Sequence, residues 1–291
     1  MKKFIYSGLV SCFLWMGNMC LEAQTVYVTY EFNGTTYLTA VDVSTCTACN
    51  VFEIPSTVAH TDVTILPDGR IVFISAPVAN QISIYTPPSS IPEIFPLNPP
   101  GTATGSVYFN NLLYIAGVNN GLYSFDPATN QFFYLGDWPA GFPLGAHLYE
   151  QAGNIFAITQ DPPNQIWEVD LNAPGNSTLM QNVSFPITIS GATSVNNQAY
   201  VSDFQWIYSY DPVTNTYEQE CDAFDMGLNG FNAVTTLLSG TSAFPCLCAT
   251  NAGTVAPGLT EICSPDAAAI PFNNDEELDG DDLLQYILSP T

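Results

Sequence analysis

The chain has 291 residues, 47% hydrophobic and 13% aromatic, with 27 acidic side chains against three Lys and Arg. So apolar a composition excludes an intrinsically disordered chain. The formal charge of −24 excludes nucleic acid and anionic membranes as direct partners, because no basic surface exists to neutralise phosphates.

At the N-terminus, Lys2 and Lys3 precede an apolar run from Phe4 to Met19, which is the pattern of a secretory signal peptide. We place the signal at residues 1–23, with Leu21-Glu22-Ala23 as the cleavage site and Gln24 as the first mature residue. Cys20 would suit a lipoprotein anchor, but Gly17-Asn18-Met19 is a poor approach to a lipidated cysteine. Cleavage removes both lysines and one of the 27 acidic residues, so Arg70 alone faces 26 carboxylates at a formal charge of −25. Export to the extracellular space or bacterial cell surface follows. No later segment reads as a membrane span, since its apolar residues alternate with polar ones or are cut by Gly and Pro.

From residue 24 to residue 245 one unit of about 40 residues recurs, which predicts an all-β propeller. Units start near Asp62, Gly105, Gly145, Gly191 and Gly230. Second strands are predicted from Arg70, Leu112, Asn154 and Gln198, and third strands from Gln81, Gly121, Gln165 and Trp206. The third strands of two units run into Asp126-Pro127-Ala128-Thr129-Asn130 and Asp211-Pro212-Val213-Thr214-Asn215, where Asp opens a turn and Pro sets its first dihedral. Fourth strands leave from Gln131 and Thr216.

One blade is split between the chain ends. The N-terminal stretch supplies three strands without an opening one, and residues 229–243 supply an opening strand without the rest. Joining them closes a ring of five four-stranded blades; six is the count if Thr241 to Cys246 pairs differently. A β-sandwich is the competing architecture, and it leaves the regular repeat unexplained.

The strings LYSFDPATNQFFYLG and IYSYDPVTNTYEQ resemble kelch-like propeller blades, with Ala116-Gly117 near the place of the usual Gly-Gly doublet. Residues 246–291 form a Cys-containing acidic appendage. Its AGT element after Cys248, followed by Cys263 and LDGDDLLQY, resembles the opening of a module repeated in very large exported surface proteins of gliding bacteria. That resemblance implies an incomplete β-rich module at the front of a longer surface protein. The acidic run Asp275 to Asp282 does not fit an EF-hand, because Tyr286 stands where a bidentate Glu is needed.

Two of eight cysteines, Cys12 and Cys20, lie in the signal, leaving Cys46, Cys49, Cys221, Cys246, Cys248 and Cys263. An even number in an exported chain predicts disulfides. Cys46-Thr-Ala-Cys49 is expected to close a turn locally, with Cys221–Cys246 and Cys248–Cys263 tying the appendage down.

Propeller ligands dock where inner strands and their loops converge on the central channel. The repeat places His60, Asp62, Ser106, His147, Thr193 and Asn232 there, and His60, Asp62, His147 and Asn232 are the candidate ligand-binding set. Trp138, Trp167 and Trp206 fall where blades need packing aromatics. No G-x-S-x-G elbow, H-E-x-x-H helix, Walker loop or dinucleotide fingerprint is present, so neither a cofactor nor a metal is implied. Among the candidate positions only Asp62 brings a carboxyl, whereas glycoside hydrolysis needs two across the bond. The expected function is a non-catalytic secreted or cell-surface binding or adhesion module for a protein or glycan ligand. A polysaccharide-acting enzyme and a structural spacer are the alternatives.

Overall fold

The computed structural model describes residues 24–55, 60–75, 81–97, 102–118, 121–143, 145–183, 188–236, 244 and 246–247. The signal expected at 1–23, Cys248, Cys263 and the part of the expected appendage beyond residue 247 lie outside the described residues, as do residues 241–243 and 245.

Twenty strands form five four-stranded antiparallel sheets. The first blade contains β1 (Thr25–Phe32), β2 (Thr35–Asp42) and β3 (Thr47–Pro55), and the second contains β4 (His60–Ile65), β5 (Ile71–Ser75), β6 (Gln81–Tyr85) and β7 (Glu93–Pro96). The third runs through β8 (Thr102–Phe109), β9 (Leu112–Val118), β10 (Gly121–Asp126) and β11 (Gln131–Gly136). In the fourth are β12 (Ala146–Gln151), β13 (Asn154–Thr159), β14 (Asn164–Glu168) and β15 (Thr178–Val183), with a 3-10 turn at Pro174–Asn176 before the last strand. The fifth has β16 (Gly191–Val195), β17 (Gln198–Ser202), β18 (Trp206–Asp211) and β19 (Thr216–Asp222). Finally β20 (Ala233–Thr235) returns to the first blade, giving the order β20-β1-β2-β3. This is the split blade expected from the sequence, and the count is five.

The innermost strands touch in a closed cycle, β4 to β8, β12, β16, β20 and back to β4. The seam is short: Tyr27, Val28 and Thr29 pair with Thr235, Val234 and Ala233. Apolar burial concentrates between blades. Five buried clusters serve five interfaces, from Val28, Ile207 and Phe231 between first and fifth blades to Leu148, Ile155 and Trp167 between third and fourth. Each sheet is therefore sandwiched by its neighbours, which explains why second and third strands read as near-continuous apolar runs.

Turn residues match their dihedrals. The two-residue hairpins Asn33-Gly34, Asn110-Asn111, Ala152-Gly153 and Asn196-Asn197 all have positive φ at both positions, as type I′ turns require. In the Asp-opened turns, Asp126 Oδ1 accepts from the Ala128 N–H at 2.8 Å and Asp211 Oδ1 from the Val213 N–H at 2.8 Å. Asn130 and Asn215 close them at φ 58° and 55°. The strings LYSFDPATNQFFYLG and IYSYDPVTNTYEQ thus form β10-turn-β11 and β18-turn-β19.

The cysteine pairing differs from expectation. Cys46 bonds Cys221 and Cys49 bonds Cys246, across 175 and 197 residues. The reason lies in the first blade's own Asp-opened turn, Asp42-Val43-Ser44-Thr45-Cys46, where Cys46 takes the left-handed position at φ 52° that Asn130 and Asn215 hold elsewhere. Its sulfur then faces the fifth blade, whereas Cys49, inside β3, faces the second. The two cysteines lie on opposite faces of one sheet and cannot join. Such disulfides belong to an extracellular or periplasmic protein. Among the described residues no helix is long and apolar enough to cross a membrane.

Candidate functional site

In every blade the innermost strand starts at one face of the ring, the face that also carries the loops between second and third strands. At that mouth a pocket of about 260 Å³ is lined by His60, Thr104, His147, Gln160, Phe204 and Asn232, among others. The opposite mouth narrows to about 40 Å³ between Thr64, Ser106, Thr193 and Thr235, room for little more than water. A groove of about 500 Å³ runs outside the ring between the first and second blades, but its walls are mostly apolar, Phe52, Ile54, Pro87 and Pro88. It offers few converging polar atoms.

Three of the four sequence candidates, His60, His147 and Asn232, line the wider mouth. Asp62 lies just beneath, fully buried, one strand position into the channel. Ser106 instead braces Asp62, and Thr193 sits at the far mouth. Trp167 is buried, and Trp138 stacks on Phe142 at 4.4 Å, both as packing residues.

Most polar groups around the channel are spent between neighbouring blades. Thr104 Oγ1 accepts from the Ala146 N–H and donates to the Ala146 carbonyl, each at 3.0 Å. The Ser106 hydroxyl and backbone N–H both donate to Asp62 Oδ2, the hydroxyl at 3.0 Å, leaving that hydroxyl to accept from Thr64 at 2.7 Å. Asp203, near the rim, takes the Gln205 and Trp206 N–H groups on Oδ1 and the Tyr208 hydroxyl on Oδ2.

His147 is the exception. Its Nε2 lies 3.1 Å from the Ile189 carbonyl, which can only accept, so Nε2 carries hydrogen. Nδ1 is buried without a hydrogen-bond partner and lies 3.9 Å from Asp62 Oδ1, too far for a direct bond. Burial pushes the Asp62 carboxyl up, against the opposing pull of His147 and Ser106.

His60 packs on Phe73 at 4.7 Å between ring centroids, and burial pushes it down to about 4. It is neutral at pH 7. Because the folded value lies below the ordinary 6.5, the folded state resists protonation, and stability falls as pH drops from about 6.5 toward 4. His60→Gln is expected to flatten that part of the urea-midpoint profile. An unchanged slope between pH 6.5 and 4 contradicts burial as the cause.

Several lining residues of the mouth escaped the sequence reading, Gln160 and Phe204 among them. Gln160 and Phe204 follow the second strands of the fourth and fifth blades. The signal was present in the repeat: loops between second and third strands share the face at which inner strands start, so residues just past the second strand belong to the same site.

No protein-family model matches the chain, and no curated protein does. Solved structures resemble its β-propeller fold. A structural genomics protein of unknown function from Bacteroides thetaiotaomicron is 12% identical with a TM-score of 0.49, covering 69% of this chain and 56% of its own. Virginiamycin B lyase from Staphylococcus aureus is 14% identical, TM-score 0.45, over 69% and 71% of the two chains. PorZ, an essential bacterial surface component of the type-IX secretion system of Porphyromonas gingivalis, is 16% identical, TM-score 0.38, over 70% and 27%. The chain thus spans little more than half the length of the first of these proteins and about a quarter of PorZ.

Proposed function

We propose that the chain is a non-catalytic ligand-binding propeller of an exported or cell-surface protein, acting in adhesion or display, with its docking site at the mouth formed by His60, His147 and Asn232 above Asp62. The observation that carries this reading is the contrast in hydrogen bonding along the channel. Where neighbouring polar groups are satisfied across blades, the Asn232 and Gln160 side-chain amides have no partner among the described residues. Unspent polar atoms converging in a concave site are what a specific ligand requires. A hydrolytic reading has less support, since Asp62 is buried and held by Ser106, and Asp203 is spent on Gln205, Trp206 and Tyr208.

The test uses the disulfide-bonded mature protein on arrays of glycans and of extracellular-matrix peptides. A double variant, Asn232→Leu with Gln160→Leu, fills the pocket without touching a bond that holds the ring. Signals from the wild type are expected to fall at least tenfold in the variant at unchanged thermal midpoint. Equal binding by both proteins overturns the site.

A further inference from the structure

Resting on that docking site, we infer that its ligand is a single neutral, hydroxyl-rich ring, the terminal neutral sugar of a glycan, seated between the Asn232 and Gln160 amides and the exposed ring of Phe204. Charge narrows the choice first. The pocket lining contains no Lys, Arg, Asp or Glu among the described residues, and His60 is uncharged at neutral pH. Arg70, the mature chain's sole cation, sits on the loop joining β4 to β5, at the opposite face of the ring, and is paired with Asp68 at 2.8 Å. A carboxylated, sulfated or phosphorylated ligand would find no counter-charge and would approach a chain of formal charge −25. A cationic ligand gains little at contact, because Asp62, the carboxyl beneath the pocket, is buried and bonded to Ser106.

Hydrogen-bonding capacity then selects hydroxyls. A primary amide offers one acceptor and two donors, and the pocket is lined by two of them, Asn232 and Gln160. Groups that both donate and accept at short spacing satisfy such a set, and vicinal hydroxyls do so. An alkyl or aromatic ligand would leave the amides unpaired.

The rim supplies the complementary apolar face. Phe204 is 56% exposed, meets Phe224 edge-on at 6.2 Å, and packs against Gly230, where a Cβ would come within 2.4 Å of its ring. Phe231, buried, continues this wall into the pocket. A pyranose presents hydroxyls at its edge and C–H groups on its face, so one ring can satisfy amides and aromatic together. The volume, about 260 Å³, is below the ~300–1,000 Å³ usual for drug-sized ligands and suits one ring rather than a chain of them.

Ligand-observed NMR on the mature protein tests this with methyl glucoside, galactoside, mannoside, fucoside and N-acetylglucosaminide, and with glucuronate and galacturonate. At least one neutral glycoside is expected to give a saturable transfer signal, weakened at least tenfold by Asn232→Leu and by Phe204→Ala. The exposed outer-strand variant Phe133→Ala should leave it unchanged, and the uronates should give none. Preference for a uronate, or no saturation by any neutral glycoside, overturns the sugar assignment. If pocket variants still abolish binding to a peptide array in that case, the docking site stands and only the ligand class falls. A neutral sugar that binds wild type and both pocket variants equally overturns the assignment and the site together.

Discussion

Replacing the staple, Cys46→Ala with Cys221→Ala, is expected to lower the unfolding free energy by about 2–5 kcal/mol, read as a fall in the urea midpoint. The disulfide spans 175 residues, nearly the whole ring, and a polymer estimate for so long a loop is about 5 kcal/mol. Native contacts across the same seam are few: three residues of β20 pair with β1, and the remaining hold is the apolar cluster of Val28, Ile207 and Phe231. Breaking Cys49–Cys246 as well should add a larger loss than the first, because until then its 197-residue loop keeps the unfolded chain closed over nearly the same span. A double-alanine protein with the wild-type midpoint would show that the seam holds without its covalent link.

Gly105→Ala is expected to cost about 3 kcal/mol, among the larger effects a single methyl can have. Gly105 lies on β8, where the third and fourth blades meet nearest the axis. A Cβ there would stand 2.4 Å from the Ala146 carbonyl oxygen and 2.5 Å from His147 Cα. Both are backbone atoms of β12, which cannot yield without shifting that strand. Accommodating the methyl would push β12 outward, disturb the Thr104–Ala146 bonds and move His147 against Asp62. Gly175→Ala is the control, since its Cβ would meet nothing nearer than the Asp137 carbonyl at 3.6 Å, and should stay within about 0.5 kcal/mol of wild type. Equal, small losses at both positions would contradict the tight approach of the inner strands.

The architecture was legible because each blade is written in local chemistry. Strands Leu112–Val118 and Gln198–Ser202 begin where the alternation of apolar residues begins, and the Asp-opened turns at Asp126 and Asp211 mark where third strands end. The split blade was legible from arithmetic on strands alone. Short outer strands were harder. Glu93–Pro96 is exposed on most of its residues, so it has no buried face to impose a period. Cysteine pairing was not legible from spacing, because Cys46 and Cys49, three residues apart, address different neighbours across a sheet. Of the site, His60, His147 and Asn232 followed from where inner strands start. Ser106 was placed near the channel but could not be resolved as the brace of Asp62, since that depends on the bulges that shift register at His60/Asp62 and Ala103/Gly105. Phe204 lacked any pattern of its own.

Everything positioned at the mouth depends on the ring being shut between its first and last strands. Peptide mapping of the oxidised mature protein by mass spectrometry, without reduction, reads that closure covalently. The account predicts cross-linked peptides joining Cys46 to Cys221 and Cys49 to Cys246. A peptide carrying an internal Cys46–Cys49 bond, with Cys221 joined elsewhere, would contradict it.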